Sequence, residues 1–288
     1  MFMFKSPQNE GDAVYHYTSQ SSLSGILKKD KIVLQLTKLC DLDDKTEGTE
    51  IFNHFEKACN NLLKQKKITD EQYKKILELK NDCTSKMFTI CFKNDAMYID
   101  YKETDAYIMS FCKDDDNIFM WEEYAGQDGC CIHFNEKYLK KLFINPFEHY
   151  INIEEVVYDD DKKVEILEEC IFENLKDEDY LRRIKNEISS YKYLFKKKSF
   201  ENEKEIRMIV YVPKSTDNLT FETKFKFKGN KKLSYIELEI IEPEIKMFLV
   251  NGITLNSSFE KNSYENIKKY LWTSEYFFTS VDINFLKI

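Results

Sequence analysis

The segment KSFENEKEIRMIVYV at 198–212 holds the residues that are most suggestive of chemistry. If 205–212 is a strand, every second residue from Ile206 faces an apolar core, which predicts a strand well inside the protein. Glu203, Glu205 and Arg207 fall on the opposite face, where buried ionisable groups need partners or a purpose. Two carboxylates beside a guanidinium could polarise a sugar hydroxyl or accept a proton. The alternative is an exposed sheet surface with paired charges.

A histidine and a hydroxyl lie near the amino end, in AVYHYT at 13–18. In a strand His16 and Thr18 share one face, and Tyr15 and Tyr17 share the other. An imidazole beside a hydroxyl could hydrogen-bond a sugar or an amide. The alternative is a half-buried histidine with an internal partner.

An aromatic pair occurs in the middle of the chain, in MWEEYAGQDG at 120–129. Trp121 and Tyr124 are three residues apart, so they are neighbours on one face of a helix. Such a pair could stack on a planar ring, or it could belong to the core. Gly126 and Gly129 would let the chain turn sharply into the next strand.

The loop DLDDKTEG at 41–48 concentrates carboxylates and could hold a hard cation. Its spacing is not that of an EF-hand, so a solvated loop that caps the next helix is the competing interpretation. The eight cysteines form no C-x-x-C pair, which predicts reduced, buried thiols instead of a zinc or dithiol site. No dinucleotide or P-loop glycine motif is present.

The bulk properties narrow the class of protein. The 288 residues carry a net charge of −8, which argues against non-specific nucleic-acid binding. A solvated helix end is the preferred interpretation of the basic run at 192–198, with a local basic groove as the alternative. The absence of an apolar run of about 18 residues predicts no membrane span. The amino terminus lacks the pattern of a signal peptide, so a cytoplasmic location is expected.

The order of predicted elements indicates an α+β protein, because strands and helices are interleaved without regular βα alternation. We expect one domain over 1–288, with a single mixed or antiparallel β core and helical insertions at about 49–86 and 162–197. Ser21 or Ser22, and Asp115 or Asp116, are predicted helix caps, and Thr69 with Gln72 forms a capping box. The predicted strands are 13–18, 32–37, 87–92, 106–112, 130–134, 151–158, 205–212, 219–228 and 233–241; the runs 245–250 and 276–283 and a helix at 259–271 close the chain.

Taken in order, these segments resemble the prokaryotic family known as domain of unknown function 2971. The likeness is carried by YHYTSQSSLSGILKKDKIVL, LDDKTEG, MWEEYAGQDGCCIHF, VVYDD and KSFENEKEIR, and it extends from about residue 14 to 283. The loop departs from the family's pattern, because Asp43 and Lys45 replace the usual Asn and Pro.

A looser likeness is to the ADP-ribosyltransferase fold, with a His-x-Thr strand, an aromatic middle helix and a late Glu-x-Glu strand. That resemblance implies an enzyme that consumes NAD, of the kind found in bacterial toxins and defence effectors, with no metal. It implies that His16, with Thr18, binds the adenosine-side ribose. Tyr124 or Trp121 would stack on nicotinamide. Glu205 would bind the nicotinamide ribose and stabilise its developing positive charge, Glu203 would orient or deprotonate the acceptor, and Arg207 completes the binding set.

Two other functions are compatible with the same residues. One is a metal-dependent phosphodiesterase or nuclease with ligands drawn from Asp43, Asp44, Glu47, Glu203 and Glu205. The other is a non-catalytic protein that binds a nucleotide-type small molecule or a partner in the aromatic and charged cleft. The acceptor of any transfer reaction is not indicated by the sequence.

Overall fold

The structure is a computed structural model that describes residues 13–44, 46, 48–81, 86–93, 96–127, 129–141, 150–214, 221–256, 265–267 and 269–271. Its strands are β1 Ala13–Ser19, β2 Ile32–Lys38, β3 Lys86–Lys93, β4 Ala96–Cys112, β5 Gly129–Asn135, β6 Tyr150–Glu155, β7 Glu205–Pro213, β8 Lys224–Lys228, β9 Lys231–Ile240 and β10 Val250–Leu255. Its α-helices are α1 Gln20–Ile26, α2 Ile51–Lys64, α3 Asp70–Glu78, α4 Ile118–Met120, α5 Glu136–Lys141, α6 Asp160–Asn174, α7 Tyr180–Tyr191 and α8 Pro243–Leu249. The predicted α+β class is confirmed.

The long strand β4 organises the sheet, and all pairings between the named strands are antiparallel. One edge of β4 pairs with β7 from Thr104 to Cys112, and β6 continues the sheet beyond β7. The other edge is shared: β2 pairs at Tyr107 and Ile108, and β1 pairs at Cys112. The sheet therefore forks along this edge of β4. One branch is β1-β5-β10 and the other is β2-β9-β8.

Two hydrophobic cores lie on opposite faces of β4 and β7, as their alternating side chains require. Tyr107, Met109 and Phe111 of β4 pack into the first core together with residues from both branches. Ile108 of β4 and Ile209 of β7 pack into the second core, which the helices α2, α6 and α7 cover. Both faces of β7 are thus buried, as the sequence predicted. Ser110 of β4 and the acidic end of β7 lie on the helix-covered face.

Local capping explains where several helices begin. Thr69 caps α3, and its reciprocal bonds with Gln72 form the predicted capping box. The cap of α4 is Asn117, whose side chain accepts from the Met120 amide, and not Asp115 or Asp116 as predicted. The residue that precedes α1 is Ser19, so the prediction of Ser21 or Ser22 was also wrong.

The other differences from the sequence predictions concern where the helices and strands begin and end. The region 162–197 contains two helices, α6 and α7, and then a turn at 192–194 and an isolated bridge at Phe195 instead of continuous helix. Strand β4 begins at Ala96, ten residues earlier than predicted, and the segment 245–250 is mostly helix α8, followed by the unpredicted strand β10. The predicted element at 276–283 lies outside the described residues. The proposal of a single domain over 1–288 stays a prediction.

Candidate functional site

Glu205 opens β7 and lies at the centre of a buried ionic cluster. It is only 3% exposed. Its Oε1 atom accepts from Arg207 Nε at 2.7 Å and from Ser110 Oγ at 2.5 Å. Its Oε2 atom accepts from Arg207 Nη2 at 2.9 Å and from Lys196 Nζ at 3.1 Å. Four donors fill the acceptor capacity of one carboxylate, so Glu205 is fully engaged by the protein itself.

The charges around Glu205 fix its ionisation. Burial alone would raise the pKa of Glu205, but the charges of Arg207 and Lys196 outweigh burial and lower it to about 2. Arg207 is completely buried and also donates from Nη1 to the Tyr193 carbonyl at 2.7 Å. Glu205 is therefore a permanent anion that holds two cations in place, and it is a poor proton acceptor near neutral pH.

Lys196 is brought to this cluster by the turn that follows α7 and by the bridge between Phe195 and Val157. The amide of Lys196 donates to the Val157 carbonyl, and the amide of Val157 donates to the Leu194 carbonyl. This short parallel pairing aligns the segment with the end of β6, next to Glu205. Tyr158 follows Val157, and its hydroxyl accepts from the Glu205 amide at 3.0 Å.

Glu203 has a different environment from Glu205 although it is only two residues away. It ends a 3-10 turn at Lys198–Glu203, and Lys204 has a left-handed backbone with φ 44° before β7 starts. Glu203 Oε2 accepts from Lys196 Nζ at 2.5 Å, and Oε1 accepts from Tyr124 OH at 3.1 Å. Burial and the nearby Glu205 raise the pKa of Glu203, against the opposing charge of Lys196. Glu203 thus keeps acceptor capacity and is disposed to exchange a proton.

Tyr124 places the cluster next to solvent, because it is 49% exposed while its hydroxyl contacts Glu203. It belongs to a π-helical turn, Trp121–Ala125, that continues α4 and ends at Gly126 with φ 71°. An added Cβ at Gly129 would lie 2.3 Å from the Ala125 carbonyl oxygen, so this close approach requires glycine. Asn117 ties the turn to the acidic segment, since its Nδ2 atom donates to the Asn202 carbonyl at 2.7 Å.

His16 lies at the fork of the sheet and connects to the ionic cluster through Ser110. Its Nδ1 atom donates to the Ser110 carbonyl at 3.0 Å, because a carbonyl oxygen can only accept. Ser110 therefore joins His16, through its backbone, to Glu205, through its side chain. Burial and the charge of Lys226 lower the pKa of His16, against the bond to Ser110. The neutral ring leaves Nε2 as an acceptor that has no partner among the described residues.

The structure separates the remaining predicted site residues into two groups. Thr18 is half-buried on β1, on the same strand face as His16, as predicted. Trp121 is 4% exposed, its ring packs edge-on against Tyr17 at 5.1 Å, and its Nε1 has no partner in the described structure. The Trp121 ring thus lies in the core, and a stacking role for Trp121 stays a prediction. Arg207 likewise faces only protein groups and cannot reach a ligand without rearrangement.

Three residues of the site were missed from the sequence: Ser110, Tyr158 and Lys196. Ser110 could have been noticed as the one serine in the apolar strand AYIMSFC. Lys196 was hidden in a lysine-rich run that was interpreted as a solvated helix end. This interpretation is wrong for Lys196, which is 7% exposed and bridges Glu203 and Glu205. Nothing in the local sequence distinguishes it from its neighbours.

The described carboxylates of the acidic loop at 41–48 have partners outside the cluster around Glu203 and Glu205. Asp43 pairs with Lys228 and Lys231 at 3.1 Å, and Asp44 accepts from the Thr46 amide and hydroxyl. The prediction of a cap for the following helix is wrong for the described part of this loop, because α2 is preceded by Glu50 without a side-chain cap. Glu47 lies outside the described residues.

A second polar cluster lies between α2 and α6. Among the described residues, ligand atoms close enough to share a metal ion occur at Glu50, His54 and Asp160. The buried Lys163 donates from Nζ to Glu50 at 3.2 Å and to Asp160 at 2.9 Å. The ammonium thus supplies the positive charge at this cluster, which includes none of the acids predicted as metal ligands.

Comparisons with known proteins identify one family. Residues 120–208 match the family model described as "Protein of unknown function (DUF2971)", which confirms the resemblance over that segment. The matched segment contains Tyr124, Lys196, Glu203 and Glu205, and it excludes His16. Neither the curated proteins nor the solved structures contain a match to the chain. Within the described part of the chain, every helix is too short or too polar to cross a bilayer.

Proposed function

We propose that this protein is an ADP-ribosyltransferase-like enzyme that consumes NAD. The observation that carries the proposal is that Ser110 connects His16 to the acidic cluster: its backbone carbonyl accepts from His16, and its hydroxyl donates to Glu205, which shares Lys196 with Glu203. The His16 ring packs against Phe111, on the sheet face opposite the Ser110 hydroxyl. The link through Ser110 connects an early imidazole at the fork with a late acidic residue beside an exposed tyrosine. This is the combination that the ADP-ribosyltransferase likeness implies for holding a ribose on each side of a dinucleotide.

The binding roles follow from which atoms remain available. His16 Nε2 can accept from a hydroxyl of the adenosine-side ribose, with Thr18 on the same strand face. Tyr124 presents an exposed ring to nicotinamide, and aromatic faces stack favourably on planar heterocycles. Nicotinamide and the adjoining ribose would then lie over Glu203, which contacts the Tyr124 hydroxyl.

We assign the reactive carboxylate to Glu203 instead of Glu205. Glu205 is saturated by four donors, whereas Glu203 receives two and has a raised pKa. An ionised Glu203 beside the ribose stabilises positive charge as the bond between C1′ and the nicotinamide nitrogen breaks. Nicotinamide leaves with the bonding electrons as a neutral molecule. The acceptor, or water, forms the new bond to C1′ and loses its proton to Glu203.

The saturated state of Glu205 favours one alternative, a non-catalytic protein that binds a nucleotide at the same fork. In that case the ionic cluster would only fix the walls of the binding site. The two functions differ in turnover: the alternative predicts binding of NAD without release of nicotinamide.

The test is to measure nicotinamide release from NAD by the purified protein, with and without candidate acceptors. We expect release by the wild type and at least a hundred-fold loss in Glu203→Gln, since general acid–base groups contribute about 10²–10⁴-fold. Glu201→Gln is the matched control, because Glu201 is exposed on the same 3-10 turn.

Release that is equal in Glu203→Gln and Glu201→Gln would remove the proposed mechanism. Binding of NAD without any release would select the non-catalytic alternative. An activity that requires no NAD and is abolished by a chelator would replace both by a metal-dependent reaction.

A further inference from the structure

Tyr158 lies beside Glu205 because the chain is anchored on both sides of this tyrosine. Before it, the Val156 amide donates to the Glu205 carbonyl at 3.0 Å, and the Val157 amide donates to a carbonyl in the turn after α7 at 2.8 Å. After it, Asp159 is the N-terminal cap of α6 and accepts from an amide of the first helical turn. Tyr158 is therefore fixed between a backbone pairing and a helix cap, next to the start of β7.

The Tyr158 hydroxyl keeps a hydrogen that no described residue accepts. Its oxygen accepts from the Glu205 amide at 3.0 Å, and this is the only hydrogen bond of the Tyr158 side chain within the described structure. A phenolic hydroxyl can donate as well as accept, so the O–H group remains available to a ligand. The side chain is half-buried, and part of it is open to solvent. Burial and the charges of Glu205 and Glu203 raise the pKa of Tyr158, so the hydroxyl keeps its proton at neutral pH.

The other hydrogen-bond donors at the cluster already donate to its carboxylates. These donors are Arg207, Lys196 and Ser110, which bond to Glu205, and Tyr124, which bonds to Glu203. Glu203 and Glu205 are separated only by Lys204, whose left-handed backbone turns the chain into β7. The unused hydrogen of Tyr158 thus lies beside the short segment that carries the carboxylate assigned to the reaction. A sugar hydroxyl that donates to Glu203 needs a donor for its own oxygen.

We infer that the Tyr158 hydroxyl donates a hydrogen bond to a hydroxyl oxygen of the nicotinamide-side ribose, while that sugar hydroxyl donates to Glu203. This inference rests on the proposed function for the identity of the ligand. An acceptor and a donor then hold the same sugar hydroxyl, which fixes the orientation of the ribose over the carboxylate. Tyr158 transfers no proton in this arrangement, so it is a substrate-binding residue.

The experiment removes the hydroxyl and keeps the ring, with Tyr158→Phe. ADP-ribose is the probe, because it carries the ribose in question but no nicotinamide and is not consumed by the proposed reaction. Its binding is measured by titration calorimetry beside three other ligands: the two forms that lack the 2″- or the 3″-hydroxyl of the terminal ribose, and ADP, which lacks this ribose. Tyr191→Phe is the matched control, because Tyr191 is half-buried and its hydroxyl has no hydrogen bond in the described part of the chain.

We expect Tyr158→Phe to weaken ADP-ribose binding about 3- to 10-fold, the usual contribution of one neutral hydrogen bond. ADP should bind the variant and the wild type equally. One of the two deoxy forms should also bind both equally, because it has already lost the hydroxyl that Tyr158 contacts. Tyr191→Phe should match the wild type with every ligand.

Two results would overturn the ribose contact. An unchanged affinity of Tyr158→Phe for ADP-ribose would refute it. A loss of the same size for ADP-ribose and both deoxy forms would also refute it, since Tyr158 would then act only through the Glu205 amide. Thermal unfolding shows whether each variant is folded. If Tyr158→Phe does not fold, a crystal structure of the wild type with ADP-ribose decides, and a terminal ribose with no hydroxyl within about 3.5 Å of the Tyr158 oxygen refutes the contact.

The nicotinamide release assay separates this inference from the proposed function. If the wild type releases nicotinamide but Tyr158→Phe binds ADP-ribose normally, the ribose contact is refuted and the function stands. If Tyr158→Phe loses affinity in the expected pattern but the wild type never releases nicotinamide, the transferase function fails and the ribose contact stands. If the wild type does not bind ADP-ribose, the ribose contact is refuted, whatever the release assay gives.

Discussion

Replacing Glu205 by glutamine should destabilise the protein much more than the same change at Glu203. The folded state lowers the pKa of Glu205 from 4.5 to about 2. A pKa difference of about 2.5, at about 1.4 kcal/mol for each pKa unit, corresponds to about 3 kcal/mol of stability near neutral pH. The usual cost of breaking a buried ion pair, about 3–5 kcal/mol, agrees with this value. The variant would leave the buried Arg207 guanidinium without a counter-charge and direct an amide N–H₂ toward other donors.

Glu203→Gln is the internal comparison. The pKa of Glu203 is raised, which means that the folded state disfavours the charged carboxylate. Removing that charge therefore offsets part of the lost hydrogen bonding. Lys196 also keeps its contact with Glu205. We expect a loss of about 1 kcal/mol or less. Urea unfolding at pH 7, followed by circular dichroism, measures both variants. Equal destabilisation by the two substitutions would refute the division into an anchoring Glu205 and a reactive Glu203.

Four further outcomes are expected. Because Glu205 has a lowered pKa, the stability it contributes should be present above about pH 5 and should be lost as the pH falls toward 2, and Glu205→Gln should flatten this part of the stability–pH curve. Because a general base must be deprotonated, kcat/KM should fall as the pH falls through the raised pKa of Glu203. The acidic limb of the pH profile should therefore lie above pH 4.5. A limb at or below pH 4.5 would argue against Glu203 as the general base. Gly129→Ala should lower the free energy of unfolding by about 1–3 kcal/mol and reduce activity, since the new Cβ would overlap the Ala125 carbonyl. The control is Gly25→Ala, whose Cβ would meet nothing within 4 Å, and it should be neutral or stabilising in thermal unfolding. Lys163→Met should lower the free energy of unfolding in urea by about 3 kcal/mol, because it leaves the Glu50 carboxylate buried without its cation. Adding Glu50→Gln should recover part of that loss. No recovery would mean that packing, and not charge, explains the effect.

The sequence predicted the elements whose periodicity is decided locally. Strand β7 alternates over its whole length and was found with nearly correct bounds, and the capping box gave the correct start of α3. The start of β4 was missed because only half of the residues from 96 to 105 are apolar and they do not alternate regularly with polar ones. The cap of α4 was misplaced because three aspartates precede Asn117, and tertiary contacts of Asn117 with Tyr17 and Asn202 distinguish it from them.

The candidate site could be predicted only in part. Glu203 and Glu205 were found because charged residues beside an apolar strand are conspicuous. Their different environments depend on Ser110, which is far away in the sequence, and on Lys196, which lies in a run of similar lysines. Whether an aromatic residue faces solvent or core is likewise set by packing: Tyr124 is exposed, and its neighbour Trp121 is buried. The fork that brings His16 toward β4 is a property of strand pairing across the whole chain, so no local pattern contains it.

The most direct test of the central claim is a crystal structure of Glu203→Gln with NAD bound, since this variant should bind NAD without consuming it. We predict that the nicotinamide ribose lies within hydrogen-bond distance of the side chain at 203, with the nicotinamide ring against Tyr124 and the other ribose at His16. NAD bound away from the fork, or bound with no contact to either position, would contradict the account.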